Sequence, residues 1–507
     1  MAASPDARAA LIALNRFGYG ARPGDLAAAA SDPRGFLAEE LARPGIARID
    51  ADLPGSAAAL ASLFEDQDRV RLEREAAARP AVAAPPAGAP PAGAPVAAGM
   101  AAAPQAGAMA PAMAAPPTAG ATPPAMADAK PKPPPGPSLE TRLYRAEAQA
   151  RFAKAIEAPA GFVERLVAFW SNHFAVSVSK DQFVRVGAGP FEREAIRPHV
   201  LGRFADMLAA VERHPAMLVF LDNQQSTGPN SKAGRSNHRG LNENLAREIL
   251  ELHTLGVDAP YRQDDVTALA RIITGWTHTP RDGKAGPPGT FLFRPEWHEP
   301  GAHALLGTTY PEGGVEQGLA ALADLARHPA TAHHLAVKLV RHFVADAPPP
   351  ALVDTIAATF RDGDGDLARV ARALIESDAA WEAPTTKIRS PIEFLVAMAR
   401  ATGLGPPDPG RLLGQLEALG QPLWQPAGPN GFADGTAVWA SPEAMKLRLD
   451  LAWAVAQRAA DYGPPLGVLD TVAGLAASRD TRETMARAES RPQALAILFM
   501  SPEFQRR

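Results

Sequence analysis

The side chains most able to do chemistry cluster in the stretch NENLAREILELHTLGV, from Asn242 to Val257. On a helix turning about 100° per residue, Asn244, Arg247, Glu248 and Glu251 share one arc, and Leu245, Ala246, Ile249, Leu250 and Leu252 fill the other side. Glu248 and Glu251 could work as acid and base where burial splits their pKa values. Asn242, Asn244 and Arg247 would then position a substrate. The competing reading is a solvated face with an Arg247–Glu251 pair, worth a few tenths of a kcal/mol. His253 falls in the apolar arc, where a satisfied core histidine competes with a ligand role. Gly256 suits a left-handed helix end.

A second cluster is WSNHF, from Trp170 to Phe174. Trp170, Asn172 and His173 at a helix end suit a ligand pocket or a capping arrangement. The helix dipole there favours His173 as a cation. TGWT, from Thr274 to Thr277, brings Trp276, a core plug or a stacking platform. In WHEPGAH, the residues His298, Glu299 and His303 could join His173 around a metal. That spacing is not the H-E-x-x-H helix pattern, and Pro300-Gly301 breaks a helix, so no metal ligand is assigned. DGDGD, from Asp362 to Asp366, lacks the closing glutamate of a calcium loop, and Asp366 reads as a helix cap. His333 and His334 diverge on one helix. Lys338 and Arg341 form a basic stripe, read as a solvated face or an intraprotein pair ahead of a phosphate site. GAGP, from Gly187 to Pro190, reads as a turn. No G-x-S-x-G, phosphate loop or dinucleotide fingerprint is present, which disfavours serine hydrolases, P-loop ATPases and Rossmann dehydrogenases.

The elements that must hold these residues are helices. Apolar spacing predicts an all-α, multi-helix globular domain with long ordered loops. Ser390-Pro391 and Ser441-Pro442 place a cap before proline at the first helical position. The loops from Thr277 to Thr309 and from Gln421 to Ser441 are long and rich in Gly, Pro, Trp and His, the kind that carries function. A short hairpin is expected in FLFRPEWHEPGAHALLG. Composition gives the boundaries: residues 1–76 form an N-terminal helical segment packing on the main body. Residues 77–137, mostly Ala, Pro, Gly and Met, form an insert predicted to be disordered, and 138–507 form the main helical domain.

The 507 residues include no cysteine, which removes disulfides, thiolate catalysis and Cys-ligated metals. With 51 basic and 55 acidic residues, the net charge of −4 argues against nucleic-acid binding. No stretch reaches the roughly 18 apolar residues of a membrane span. MAASPDARAALIALNRFGYG has neither a basic start nor a long apolar run, so the expectation is cytoplasmic, or periplasmic if the start is truncated or misassigned.

Seven blocks support a resemblance: RLVAFWSNHFAVS (Arg165 to Ser177), HPAMLVFLDN (His214 to Asn223), NENLAREILELHTLGVDAPYRQDDVTALARIITGWT (Asn242 to Thr277), HPATAHHLAVKLVRHFVAD (His328 to Asp346), KIRSPIEFL (Lys387 to Leu395), LGQPLWQPAGPNGF (Leu419 to Phe432) and SPEFQ (Ser501 to Gln505). In this order they resemble the domain of unknown function 1800 family, over nearly the whole chain outside the insert. A tryptophan usual near Phe432 is replaced, and Leu245 stands where an aromatic is common. The resemblance implies no assured activity or cofactor. Family members are often encoded beside another uncharacterised family, domain of unknown function 1501, which looks like the alkaline-phosphatase and sulfatase group. Many members look exported. Two functions follow. One is acid–base catalysis of hydrolase or lyase type on an envelope polymer or polyhydroxylated substrate: Glu248, Glu251 and His173 act, and Trp170, Asn172, Asn242, Asn244, Arg247, Trp276 and His298 bind. The other is a non-catalytic partner or assembly factor for the phosphatase/sulfatase-like protein.

Overall fold

Capped helices, most of them short, build this protein. The computed structural model describes residues 5–78, 136–237, 240–459 and 461–507. Most of the predicted insert, 79–135, lies outside the described residues. Among the described residues are twenty-five α-helices and four three-residue strands, which makes the chain all-α in substance. No described helix is long and apolar enough to cross a membrane. The chain parts into two units, Met1–Gln67 with Ser138–Arg507, and Asp68–Pro137. The described part of the second is helical over 68–78.

Local chemistry explains where the helices start. Ser390, Ser441 and Asp366 accept backbone N–H bonds from Glu393, Ala444 and Arg369, with proline at the first helical position after both serines. The two HPA motifs use imidazole for the same purpose. His214 Nδ1 accepts from Ala216 N (3.2 Å), and His328 Nδ1 accepts from Ala330 N (3.1 Å). One hydrophobic core runs through the larger unit, with Trp170, Trp276, Phe17, Phe162, Phe174 and Phe204 wholly buried. A small satellite of Ala59, Leu60, Leu63 and Val186 sits apart.

Two elements differ from the sequence reading. GAGP is no turn: it lies within the helix Gln182–Phe191. Its glycines permit close helix contact. A Cβ on Gly189 would stand 2.4 Å from the Glu147 side chain, and one on Gly187 would stand 3.2 Å from Ala216. The expected hairpin is two hairpins. β2 (Phe291–Phe293) pairs back with β1 (Trp276–His278), and β3 (His303–Leu305) pairs forward with β4 (Thr308–Tyr310), all antiparallel.

Three helices contain a π-helical turn: Ala13–Phe17, Glu192–Ile196 and Ile249–His253. Such turns often mark functional positions because they free backbone groups. Here they carry Arg16, Glu192 and His253.

Candidate functional site

The helix Phe162–His173 is the platform. It starts after Gly161, which has φ 85°, and a buried carboxylate from the N-terminal segment caps it. Glu40 accepts from Ala160, Gly161 and Val163 N–H at 2.8–3.0 Å. A negative charge on a helix N-terminus is favourable, although burial pushes this carboxyl above its usual range. At the other end Asn172 clasps a distant loop. Its Oδ1 accepts from Phe432 N (2.7 Å) and its Nδ2 donates to Phe432 O (2.9 Å). The preceding Gly431 has φ 72°, and a Cβ there would stand 2.3 Å from Asn172 O, so only glycine lets the loop close.

Between this helix, the loop 421–434 and the start of helix Pro391–Thr402 lies a narrow cleft open to solvent. Its floor is a chain of buried charges. Arg165, 1% exposed, pairs with Glu393 Oε1 (2.9 Å) and donates to His342 Nε2 (3.2 Å) and to the backbone oxygen of Arg16. Its guanidinium also lies over the Phe343 ring. Glu393 Oε2 takes Arg507 Nε (2.8 Å) and Ser390 N (2.9 Å). Burial alone would raise the Glu393 carboxyl, but Arg165 and Arg507 hold it at about 2.

His342 Nδ1 donates to both oxygens of Asp434 at 3.0 Å. This fixes the tautomer: Nε2 carries the lone pair, consistent with Arg165 donating to it. Burial outweighs the Asp434 charge and lowers the His342 pKa, so the imidazole is neutral at pH 7. Asp434 is held well below the carboxylate range, because His342 and Lys387 outweigh its desolvation. Beside this pair, Glu192 gathers Arg151, Ser171 and the indole N–H of Trp424 on Oε2, and Arg197 on Oε1. Burial opposes ionisation there too, yet Arg151 and Arg197 hold the carboxyl at about 2. Trp424 has φ 47°, rare for a side chain this large, while its carbonyl accepts from Val178 N (2.9 Å). Trp439 lines the same cleft.

His173 lies one residue from Asn172 but faces inward, 2% exposed. Its Nε2–H donates to His253 O (3.1 Å), so its Nδ1 accepts from Lys338 Nζ (2.9 Å). The expectation of a dipole-stabilised cation fails here. Burial and the Lys338 charge take the His173 pKa well below 6.5. Lys338 takes the intraprotein pairing of the two readings rather than the solvated face, and burial brings its ammonium down to about 8. His334 Nε2 donates to Leu252 O (3.1 Å), so two imidazoles cap the end of the Asn244 helix. Its π turn ends in His253, whose Nδ1 donates to Glu212 Oε1 (2.8 Å). No partner among the described residues meets His253 Nε2 or Glu212 Oε2, both buried.

The Asn244 stripe does not share the cleft. Asn244 is exposed, and Asn242 caps it, Oδ1 to Asn244 N (2.9 Å). Arg247 pairs with Glu251 (3.2 Å) and Glu243 (3.4 Å) in the half-exposed network of the solvated-face reading. Glu248 is half-buried, and desolvation raises its carboxyl. Gly256, with φ 93°, closes this helix end as expected. Trp170 is buried, stacked near Phe174 and edge-on to His173. Trp276 is also buried, and its ring lies where a Cβ on Gly318 would stand at 2.3 Å. His298 Nδ1 bonds Thr274 O (3.0 Å) in the interior, and Glu299 is taken by Asn230. Among the described residues, no three metal-type side chains converge.

Of the predicted site residues, Asn172 alone lines the cleft. Arg165, His342, Glu393, Asp434, Trp424 and Trp439 were missed as site residues. The available signal was the set of family-like blocks. Arg165, His342, Glu393 and Trp424 each sit in a different one, and such blocks meet where a site is shared.

Fold and site thus define an all-helical protein with a polar cleft floored by buried ion pairs. The family model described as protein of unknown function (DUF1800) matches residues 12–506, and the chain belongs to that family. No curated protein and no solved structure matches it.

Proposed function

We propose that the chain is an acid–base enzyme of hydrolase or lyase type, acting in the cleft on a polyhydroxylated substrate. The observation that carries this is the Asp434–His342–Arg165 arrangement at the cleft wall. Asp434 orients a neutral imidazole, and once Arg165 turns from Nε2 to the substrate oxygen, the Nε2 lone pair can take a proton from a substrate hydroxyl or a water. Arg165, already within reach of Nε2, then faces the oxygen on which negative charge develops. Trp424 and Trp439, both largely buried, line the cleft with aromatic surface that a sugar-like ring can meet. In this reading the acid–base role moves from Glu248 and Glu251 to His342, and His173 with Lys338 positions the platform helix from behind. The test is a screen of hydroxyl-rich polymers, reading reducing ends and new unsaturated bonds. Asp434→Asn, which disturbs the tautomer, is expected to lower turnover at least about a hundredfold with the fold intact. Unchanged turnover in Asp434→Asn would overturn the assignment.

A second reading has its own observation. Leu449 and Trp453, one turn apart on helix Pro442–Arg458, are 50% and 43% exposed, and Val438 and Tyr462 are exposed as well. Large exposed apolar side chains suit a docking role for the phosphatase/sulfatase-like protein. Comigration of the two purified proteins, lost in Trp453→Asp, would support it.

A further inference from the structure

A second cavity, of about 310 Å³ and open to solvent, lies apart from the catalytic proposal. Arg8, Arg16, Arg506 and Arg507 wall it, with Asn15 and Thr385 among them and Glu503 as the one acid. Glu503 is engaged elsewhere, accepting from Ser478 N (2.9 Å) and Thr481 Oγ1 (3.0 Å). Arg507 is turned to Glu393. Arg16 is 0% exposed, and among the described residues no carboxylate pairs with it. Its Nη atoms donate to the backbone oxygens of Ala380, Ala383 and Pro384, while its Nε–H has no acceptor among the described residues. Arg389, also buried, donates Nη2 to Asn15 Oδ1 (2.8 Å) and leaves Nη1 without an acceptor. Arg8 and Arg506 are exposed at the rim, with no ion-pair partner among the described residues.

Buried guanidinium groups bonded only to neutral carbonyls carry charge that the fold does not balance. The strain shows in Arg16, whose pKa burial and the neighbouring Arg507 and Arg8 bring down to about 10. The planar N–H forks of arginine match oxyanions in pairs. We propose that this cavity is a ligand site for a small oxyanion, a carboxylate or a phosphate. An anion there meets the unbalanced charge of Arg16 behind the cavity wall and takes the forks of Arg8 and Arg506 at the rim. No described residue lines both this cavity and the cleft, although Arg507 reaches Glu393 at the cleft floor.

The test is calorimetric titration of the full chain with inorganic phosphate and, separately, malonate, with sodium chloride at matched ionic strength. At least one anion is expected to bind saturably, near one per chain. Arg8→Gln with Arg506→Gln, both at the exposed rim, is expected to weaken it at least tenfold. Arg16→Lys keeps the charge but loses the fork, and is expected to weaken it as well. Phosphate binding alone assigns the site to phosphate esters, malonate binding alone to carboxylates, and either supports the proposal. Heats no larger than chloride gives, or a rim double variant that binds as tightly as the wild type, would overturn it.

Discussion

Replacing Glu393 with glutamine removes the one carboxylate that Arg165 and Arg507 share. The cost can be worked two ways. Breaking a buried ion pair by removing one partner costs about 3–5 kcal/mol, because the remaining charges stay buried. Independently, the carboxyl titrates at about 2 rather than 4.5, and at about 1.4 kcal/mol per pH unit this is about 3 kcal/mol of folding stability. The folded pKa lies below the unfolded one. The contribution is therefore nearly whole above pH 4.5 and is lost as pH falls toward 2, with more than half gone by pH 3. Urea unfolding of wild type and Glu393→Gln, followed by circular dichroism from pH 7 to pH 3, reads the gap. A gap of about 3–5 kcal/mol at pH 7 that shrinks by about 2 kcal/mol at pH 3 is expected. A gap below about 1 kcal/mol, or one that ignores pH, would refute the account of this ion chain.

Three further outcomes follow from the same geometry. Glu248 has a raised folded pKa, so its cost is present at pH 7 and absent below pH 4.5; Glu248→Gln should stabilise at pH 7 and change nothing at pH 3 in the same unfolding experiment. Gly431→Ala should destabilise by about 1–3 kcal/mol in thermal melts, since φ 72° and the Asn172 backbone both exclude a methyl group. Gly428→Ala, in the same loop without a positive φ, should melt nearer the wild type. Imidazole nitrogen NMR should find His173 neutral and protonated on Nε2 at pH 6; in Lys338→Met its pKa should rise, because a neighbouring cation is gone.

The helical class was plain in the sequence because apolar spacing and the Ser-Pro and Asp caps are local signals. Arg247–Glu251, the Gly256 helix end and the Asp366 cap were legible for the same reason. GAGP was misread because its glycines answer to Glu147 and Ala216 on other helices, which no local rule reveals. The cleft was hidden on similar grounds. Arg165 and Glu393 are 228 residues apart in sequence, and an isolated Arg or Glu within an apolar helix looks like a surface residue. His173 showed its type but not its role. Only the fold shows that its Nδ1 meets Lys338 and that its Nε2 meets the end of the Asn244 helix.

Binding to the cleft is the most direct measurement of all. Trp424 and Trp439 both line it, so their fluorescence should respond as soluble oligosaccharide fragments are titrated in. The account predicts a saturable change in the wild type that Trp439→Phe diminishes and that Asn172→Leu, which releases the Phe432 loop, abolishes. A fluorescence signal indifferent to every hydroxyl-rich ligand, or one that survives in Asn172→Leu, would contradict it.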